Sequence, residues 1–241
     1  MEQVKNENGK AKTKVLNVII LDKSGSMQSI REAAISGFNE TLNGIKKAQE
    51  KFGDTQEHFV TLVAFCSCER KVIFDKAPVA ETQQLTLKDY VPCCCTPLYD
   101  AMGFTLTGMR KDVADAGDAV VVVTVITDGL ENASREYTGA AVKKLVEELK
   151  GDGWTFTYMG ANQNSSEVAF DLSIRNSRDF DYSSSGAKEA MEKDSSTRMN
   201  FFGRLHSYAS AMVNEKTTIE IRKKMYSKMA DEAFDEEESK G

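Results

Sequence analysis

Three short segments carry oxygen-bearing side chains that could bind a hard cation. In Asp22-Lys23-Ser24-Gly25-Ser26-Met27, the side chains of Asp22, Ser24 and Ser26 stand at alternate positions of one turn, and Gly25 lets the backbone fold tightly enough to aim them at a common point. In Cys95-Thr96-Pro97-Leu98, Pro97 disfavours a helical Thr96 and suits the first position of a helix, so Thr96 stands at a loop-to-helix junction. In Thr127-Asp128-Gly129, Asp128 ends an apolar run much as Asp22 does. Two carboxylates facing each other at neighbouring strand tips repel unless a cation lies between them. Each segment also has a plainer reading. Asp, Ser and Gly after a strand are ordinary turn residues, Ser26 or Ser29 serves equally as a helix cap, and Thr96 serves equally as an N-cap.

The elements that position these residues are legible in the hydrophobic pattern. Val15–Leu21 and Val120–Ile126 are continuous apolar runs, the mark of strands buried on both faces in a parallel sheet. Both acidic segments therefore fall at the carboxyl edge of such a sheet, where open α/β folds bind ligands. Ile30, Ala34, Phe38, Leu42, Ile45 and Phe52 form one helical stripe that Gly53 ends. Phe59–Phe65 and Val72–Phe74, joined by a short turn at Ser67–Arg70, read as a hairpin and so as an antiparallel edge. One helical turn is expected near Thr86–Tyr90. Further on come a helix at Ala141–Leu149, a strand at Trp154–Met159, a short helix at Ser165–Leu172 and a weak strand at Asp179–Tyr182. A long helical stretch, Ala187–Met212, is expected to break around Asp194–Thr197. The alternation predicts an α/β fold: a three-layer, doubly wound, mostly parallel sheet of about six strands with one antiparallel edge strand.

Composition narrows the classes. The chain has 241 residues, net charge −6 and no dense Lys/Arg cluster, which argues against nucleic acid as a partner. The first apolar run is too short to span a membrane and lacks a signal peptide's cleavage pattern, so no membrane partner and a cytoplasmic location are expected. Five cysteines, at 66, 68, 93, 94 and 95, are odd in number and show no paired C-x-x-C spacing, which argues against a disulfide framework and a structural zinc site. They are expected to be reduced thiols, neighbours at one sheet edge, without a redox role.

Taken together, the segments resemble the von Willebrand factor A family, whose metal-ion-dependent adhesion site is built from Asp-x-Ser-x-Ser, a separate Thr and an Asp in Thr-Asp-Gly. The matching residues are Asp22, Ser24 and Ser26, then Thr96 in Thr-Pro-Leu-Tyr-Asp-Ala, then Asp128 in Ile-Thr-Asp-Gly. The resemblance covers about residues 13–212 and implies a Rossmann-like fold with Mg²⁺, or Mn²⁺, at those five side chains. It implies that Ser24 and Ser26 bind the ion directly, Thr96 directly or through water, and Asp22 and Asp128 mainly through water. A partner protein's Asp or Glu carboxylate would complete the site. One departure stands out: Cys93-Cys94-Cys95 replaces the glycines that often precede the Thr, and cysteine adopts positive φ less cheaply than glycine.

The organisation expected is a polar tail over residues 1–12, the von Willebrand factor A domain over 13–212, and an amphipathic helix with an acidic tail over 213–241. In the last part Ile221, Met225, Met229 and Ala233 share a stripe, with Tyr226 and Phe234 close by. That stripe either packs on its own domain or offers a surface for self-association, and the acids at 235–238 are expected to fray the helix end. The function expected is an intracellular, divalent-metal-dependent protein-binding module without catalysis. The alternative is a Mg²⁺-dependent hydrolase or phosphoryl-transfer enzyme with Asp22 as nucleophile. Asp22-Lys23-Ser24 lacks the second acid two residues on that haloacid dehalogenases carry, and His58 and His206 belong to no visible motif.

Overall fold

The structure, a computed structural model, describes residues 11–114, 116, 119–161, 165–180, 184–211 and 218–239. Most of the expected polar tail, the pair Asn162 and Gln163 after the fifth strand, and the stretch 212–217 lie outside the described residues. The strands are β1 (Thr13–Asp22), β2 (Gln56–Cys66), β3 (Glu69–Pro78), β4 (Ala119–Thr127), β5 (Thr155–Ala161) and β6 (Asn176–Phe180). The helices are α1 (Arg31–Phe52), α2 (Leu98–Ala114), α3 (Gly139–Gly151), α4 (Ser165–Asp171), α5 (Ser184–Ala211) and α6 (Ile219–Glu238).

The six strands form one sheet in the order β3-β2-β1-β4-β5-β6, parallel throughout except for the β2–β3 hairpin. This is the doubly wound, three-layer arrangement that the alternating pattern predicts. β1 sits between β2 and β4 and is buried along its whole length. Its even-numbered apolar residues Leu16, Val18 and Ile20 pack with Leu98, Met102 and Leu106 of α2 and Val142 and Val146 of α3. Its odd-numbered Ile19 and Leu21 pack with Phe38, Leu42 and Ile45 of α1 and with Ala190 and Met191 of α5. The period of two along the strand thus decides which helix layer each residue meets. Among the described residues no helix is long and apolar enough to cross a membrane.

The single turn expected near Thr86–Tyr90 is present as one hydrogen-bonded turn, Asp89 N–H to the Thr86 carbonyl at 3.0 Å, which the Asp89 carboxylate closes by accepting the Thr86 N–H and hydroxyl; a short 3-10 turn also forms earlier, at Val79–Glu81. Three sequence expectations need correction. β6 begins three residues before the expected strand, where Asn176 pairs with Thr157. α5 does not break: Asp194 and Arg198 form a buried i,i+4 ion pair with Nε to Oδ2 at 2.6 Å, and the Thr197 hydroxyl donates back to the Lys193 carbonyl. Polar residues that read as a break are therefore satisfied inside the helix. Finally, α6 remains helical through Glu238, because its acids pair with α5 and β6 neighbours: Arg204 with Glu232 and Glu236, and Arg175 with Asp235.

The apolar stripe of α6 is turned into its own domain. Tyr226, Met229, Ala230 and Ala233 join Phe201, Phe202 and Leu205 of α5, Phe52 of α1, and Val120 and Val122 of β4 in one buried cluster. This cluster includes the starts of β1 and β4, at the end of the sheet opposite the acidic segments. Of the two expectations for this stripe, the structure shows packing on its own domain, although Ile221, expected on the stripe, is half exposed.

Candidate metal centre at the carboxyl end of the sheet

Asp22 is the last residue of β1 and Thr127 the last of β4, so the adjacent parallel strands deliver Asp22 and the Thr127-Asp128 pair to the same edge. Asp22 is fully buried. Its Oδ1 accepts the Ser24 N–H at 2.7 Å, which closes the turn, and its Oδ2 accepts the Thr127 hydroxyl at 2.6 Å. The Tyr90 hydroxyl donates to its main-chain carbonyl. Burial, with the Asp128 charge adding, pushes the Asp22 carboxyl up to about 6 against the hydrogen bonds that lower it. Burial and the Asp22 charge also hold the Tyr90 phenol protonated.

From Asp22 the hydroxyls run in sequence. Ser24 Oγ and Ser26 Oγ are 3.2 Å apart, and Ser26 Oγ donates to Asp128 Oδ1 at 2.7 Å across 102 residues of chain. The capping alternative does not describe them: Ser24 stands before a 3-10 turn, Gly25–Ile30, without a side-chain cap bond, and Ser26 is engaged with Asp128. Thr96 is buried beside them. A Cβ placed on Gly129 would lie 3.0 Å from Thr96 Oγ1 and 3.6 Å from Ser26 Oγ, so glycine after Asp128 is what lets the loops close in. The main chain of Thr96 is paired in both directions with Asn132, N–H to Oδ1 at 2.9 Å and carbonyl to N–H at 3.1 Å.

Sequence reasoning missed the residues that hold the loops rather than point into them. Glu131 accepts the N–H groups of Tyr99, Ala133 and Ser134, and Asp100 accepts those of Arg135, Glu136 and Tyr137. Together they lock the start of α2 to the loop after Asp128. Lys23, flanked by two site residues, is withdrawn: its ammonium pairs with Glu69 of β3. Thr127, Glu131 and Asp100 sit inside or beside the motifs already singled out, and their side chains were the available signal.

The cysteine loop also differs from expectation. Cys94 has φ of 63°, the left-handed conformation where glycine is favoured, and it is joined by a disulfide to Cys68 of the β2–β3 turn. The expectation of five reduced thiols without pairing is corrected: the hairpin turn and the loop meet, which linear spacing does not reveal. Their main chains are tied as well, Ser67 N–H to the Cys95 carbonyl at 2.9 Å, and the same loop is bound to the turn after β1 by Cys93 N–H to the Lys23 carbonyl at 2.8 Å and Gly25 N–H to the Cys94 carbonyl at 2.9 Å. A cleft of about 670 Å³ opens next to Thr96, lined among others by Cys95, Pro97, Phe104, Asn132 and Arg135.

The donor set fits a hard divalent cation. Five oxygen-bearing side chains converge, two of them carboxylates, one of whose acidity is suppressed by the proximity and burial that a cation would relieve.

The fold is that of the von Willebrand factor A domain. No family model matches the sequence, and no curated protein does. Solved structures do match. Proximal thread matrix protein 1 from the mussel byssus aligns with TM-score 0.52 and 15% identity over 78% of this chain and 46% of its own. A von Willebrand factor type A protein from Catenulispora acidiphila gives 0.51 and 16% over 79% and 43%. The pilus adhesin SpaC from Lactobacillus rhamnosus GG gives 0.60 and 14% over 82% and 32%. This chain thus spans less than half the length of these proteins. One form of the byssus protein is described with a zinc-occupied metal-ion-dependent adhesion site. These matches are a matrix protein, a von Willebrand factor type A protein and an adhesin. They also overturn the cytoplasmic expectation, since byssus and pilus proteins point away from the cytosol, as does the Cys68–Cys94 disulfide.

Proposed function

We propose that this chain is a metal-dependent protein-binding module. Asp22, Ser24, Ser26, Thr96 and Asp128 hold Mg²⁺, with Mn²⁺ able to replace it, and an Asp or Glu carboxylate of a partner protein completes the coordination. The observation that carries this reading is the Ser24–Ser26–Asp128 chain of contacts beside buried Asp22, built by segments 102 residues apart. Oxygen-only donors of this kind suit Mg²⁺, which keeps several of its waters. The cation would supply Lewis acidity toward an anionic ligand. The protein's own residues do the rest: Thr127 and the Ser24 N–H orient Asp22, Asn132 fixes Thr96, and the adjoining cleft gives a partner segment room beside the metal.

The hydrolase alternative finds no support at Asp22. Both its carboxylate oxygens already accept hydrogen bonds from the surrounding turn and strand and the residue is buried, which suits a fixed acceptor beside the metal and not a nucleophile presented to a substrate. Calorimetric titration with Mg²⁺ tests the proposal: one equivalent should bind the wild type, and Asp22→Ala and Asp128→Ala should each weaken it at least tenfold. Equal binding by all three proteins would refute it.

A further inference from the structure

Three cysteine sulfurs gather where the β2–β3 turn touches the loop before α2, and a fourth is bonded to one of them. Cys66 ends β2 and Cys68 lies in the turn, while Cys93 and Cys94 arrive from the loop. The Sγ atoms of Cys66 and Cys93 are 3.3 Å apart, and those of Cys66, Cys68 and Cys93 lie within 4.8 Å of one another. Cys94 is bonded to Cys68, which sets its sulfur against one member of this group. Cys95 is exposed and outside it.

Zn²⁺ binds four thiolates at about 2.3 Å, which puts the sulfurs of a tetrahedral site about 3.8 Å apart. Cys66 and Cys93 at 3.3 Å, and Cys68 within 4.8 Å of both, lie around that value, whereas Cys68 and Cys94 reach it only once the bond between them is broken. The main chain under the cluster is already fixed, by Cys93 N–H to the Lys23 carbonyl at 2.8 Å and Ser67 N–H to the Cys95 carbonyl at 2.9 Å. Little ordering is left for a metal to impose. The Cys66 contact and burial hold the Cys93 thiol up, and the Lys23 ammonium, paired with Glu69, opposes this only in part. The soft sulfur donors are also chemically distinct from the oxygens of the hard-cation centre, so a metal held by them carries a thiolate signature that the oxygen site does not give.

We propose that reduction of the Cys68–Cys94 disulfide converts this cluster into a thiolate site for one Zn²⁺, with Cys66, Cys68, Cys93 and Cys94 as ligands. A dithiol supplies the two electrons: its sulfurs join in a disulfide while Cys68 and Cys94 become thiols. Zn²⁺ then binds the four sulfurs and releases the four thiol protons to water. In the oxidised chain only Cys66 and Cys93 of the cluster remain as thiols, and the site is closed. The redox state of one bond therefore decides whether a soft metal is held beside the Thr96 loop.

Cobalt(II) is the probe, because thiolate ligation gives it a near-ultraviolet charge-transfer band and intense tetrahedral visible bands that oxygen ligands do not. The full chain, reduced with a dithiol and desalted without air, should develop these bands to one equivalent and lose them when Zn²⁺ is added. The bands should survive in Asp22→Ala and in Cys95→Ser, fall at least tenfold in Cys66→Ser and Cys93→Ser, and be absent from the unreduced chain. Cys66 is buried, so the half-buried Cys93 carries the test if Cys66→Ser does not fold. Absence of the bands from reduced, folded protein would overturn the proposal, as would their persistence in Cys93→Ser. Zinc binding abolished by Asp22→Ala alone would also overturn it, by confining zinc to the oxygen site. So would formation of a Cys66–Cys93 disulfide that excludes metal under the same reducing conditions.

Discussion

Single residues at this sheet edge and beneath it trade conformational or electrostatic cost for position. Cys94 holds a left-handed φ that costs a non-glycine residue about 1–2 kcal/mol, and its disulfide closes a loop spanning 26 positions, worth about 3 kcal/mol in the chain-entropy picture. Under reducing, metal-free conditions Cys94→Gly should stabilise the fold by about 0.5–1 kcal/mol, the relief of φ strain less glycine's greater unfolded entropy. Under oxidising conditions the same variant should be about 2 kcal/mol less stable than wild type. Urea denaturation in both conditions reads the change of sign, and a variant less stable in both would refute the account. His58 behaves differently. Burial holds its imidazole down at about 3, with its ring edge-on to Phe202 and Nε2 on Gln56 Oε1. The folded state is thus reluctant to bind a proton that the unfolded chain takes up below about 6.5, so stability present above that pH is lost on acidification. Relative to His58→Leu, the wild type should lose about 1.4 kcal/mol per pH unit between pH 6 and 4. Parallel stability curves for the two proteins would rule this out. The sequence showed Asp22, Ser24 and Ser26 as a group because one turn contains them. It did not show Thr127 bonding to Asp22, or Cys68 meeting Cys94, because those contacts depend on how distant segments are folded together.

At the scale of elements, hydrophobic period was a good guide and polar residues a poor one. β1, β4, α1 and α3 were legible from apolar runs and stripes, and the hairpin from its short turn. The break expected in α5 failed for an identifiable reason: Asp194 and Arg198 lie one helical turn apart, both buried, and Arg198 also donates to the Thr124 hydroxyl on β4. A residue pair that looks like a helix end in isolation is here the bolt between α5 and the sheet. Removing one partner should be far worse than removing both. Arg198→Met should destabilise the fold by about 3–5 kcal/mol by stranding a buried carboxylate. The double variant Asp194→Leu/Arg198→Met should recover most of that loss. Equilibrium unfolding of the wild type, Asp194→Leu, Arg198→Met and the double variant measures the coupling, and additive losses would show that the pair is not coupled.

Across the whole molecule, the sheet has two ends with different tasks. Its carboxyl end gathers the hard-donor loops and the cysteine cluster, whereas the starts of β1 and β4 join the cluster where α6 packs with Phe52, Phe201 and Phe202. Burial of Tyr226, Met229 and Phe234 stabilises the fold by about 1.5–3 kcal/mol for each side chain, before the entropy of ordering the helix is charged against it. The helix is therefore expected to act on stability and not on the site. A chain ending at Lys216 should unfold at markedly lower urea concentration, with several kcal/mol less stability. Below its transition it should bind Mg²⁺ with unchanged affinity, because none of the five donor residues belongs to the cluster that α6 joins. Light scattering adds the second readout. The apolar stripe of α6 is already covered, so the full chain should keep one apparent mass in Mg²⁺ and in EDTA, while the shortened chain, with Phe201 and Phe202 uncovered, should associate in both. A metal-dependent mass for the full chain, lost on truncation, would return α6 to the role of a self-association surface and overturn its assignment to the core.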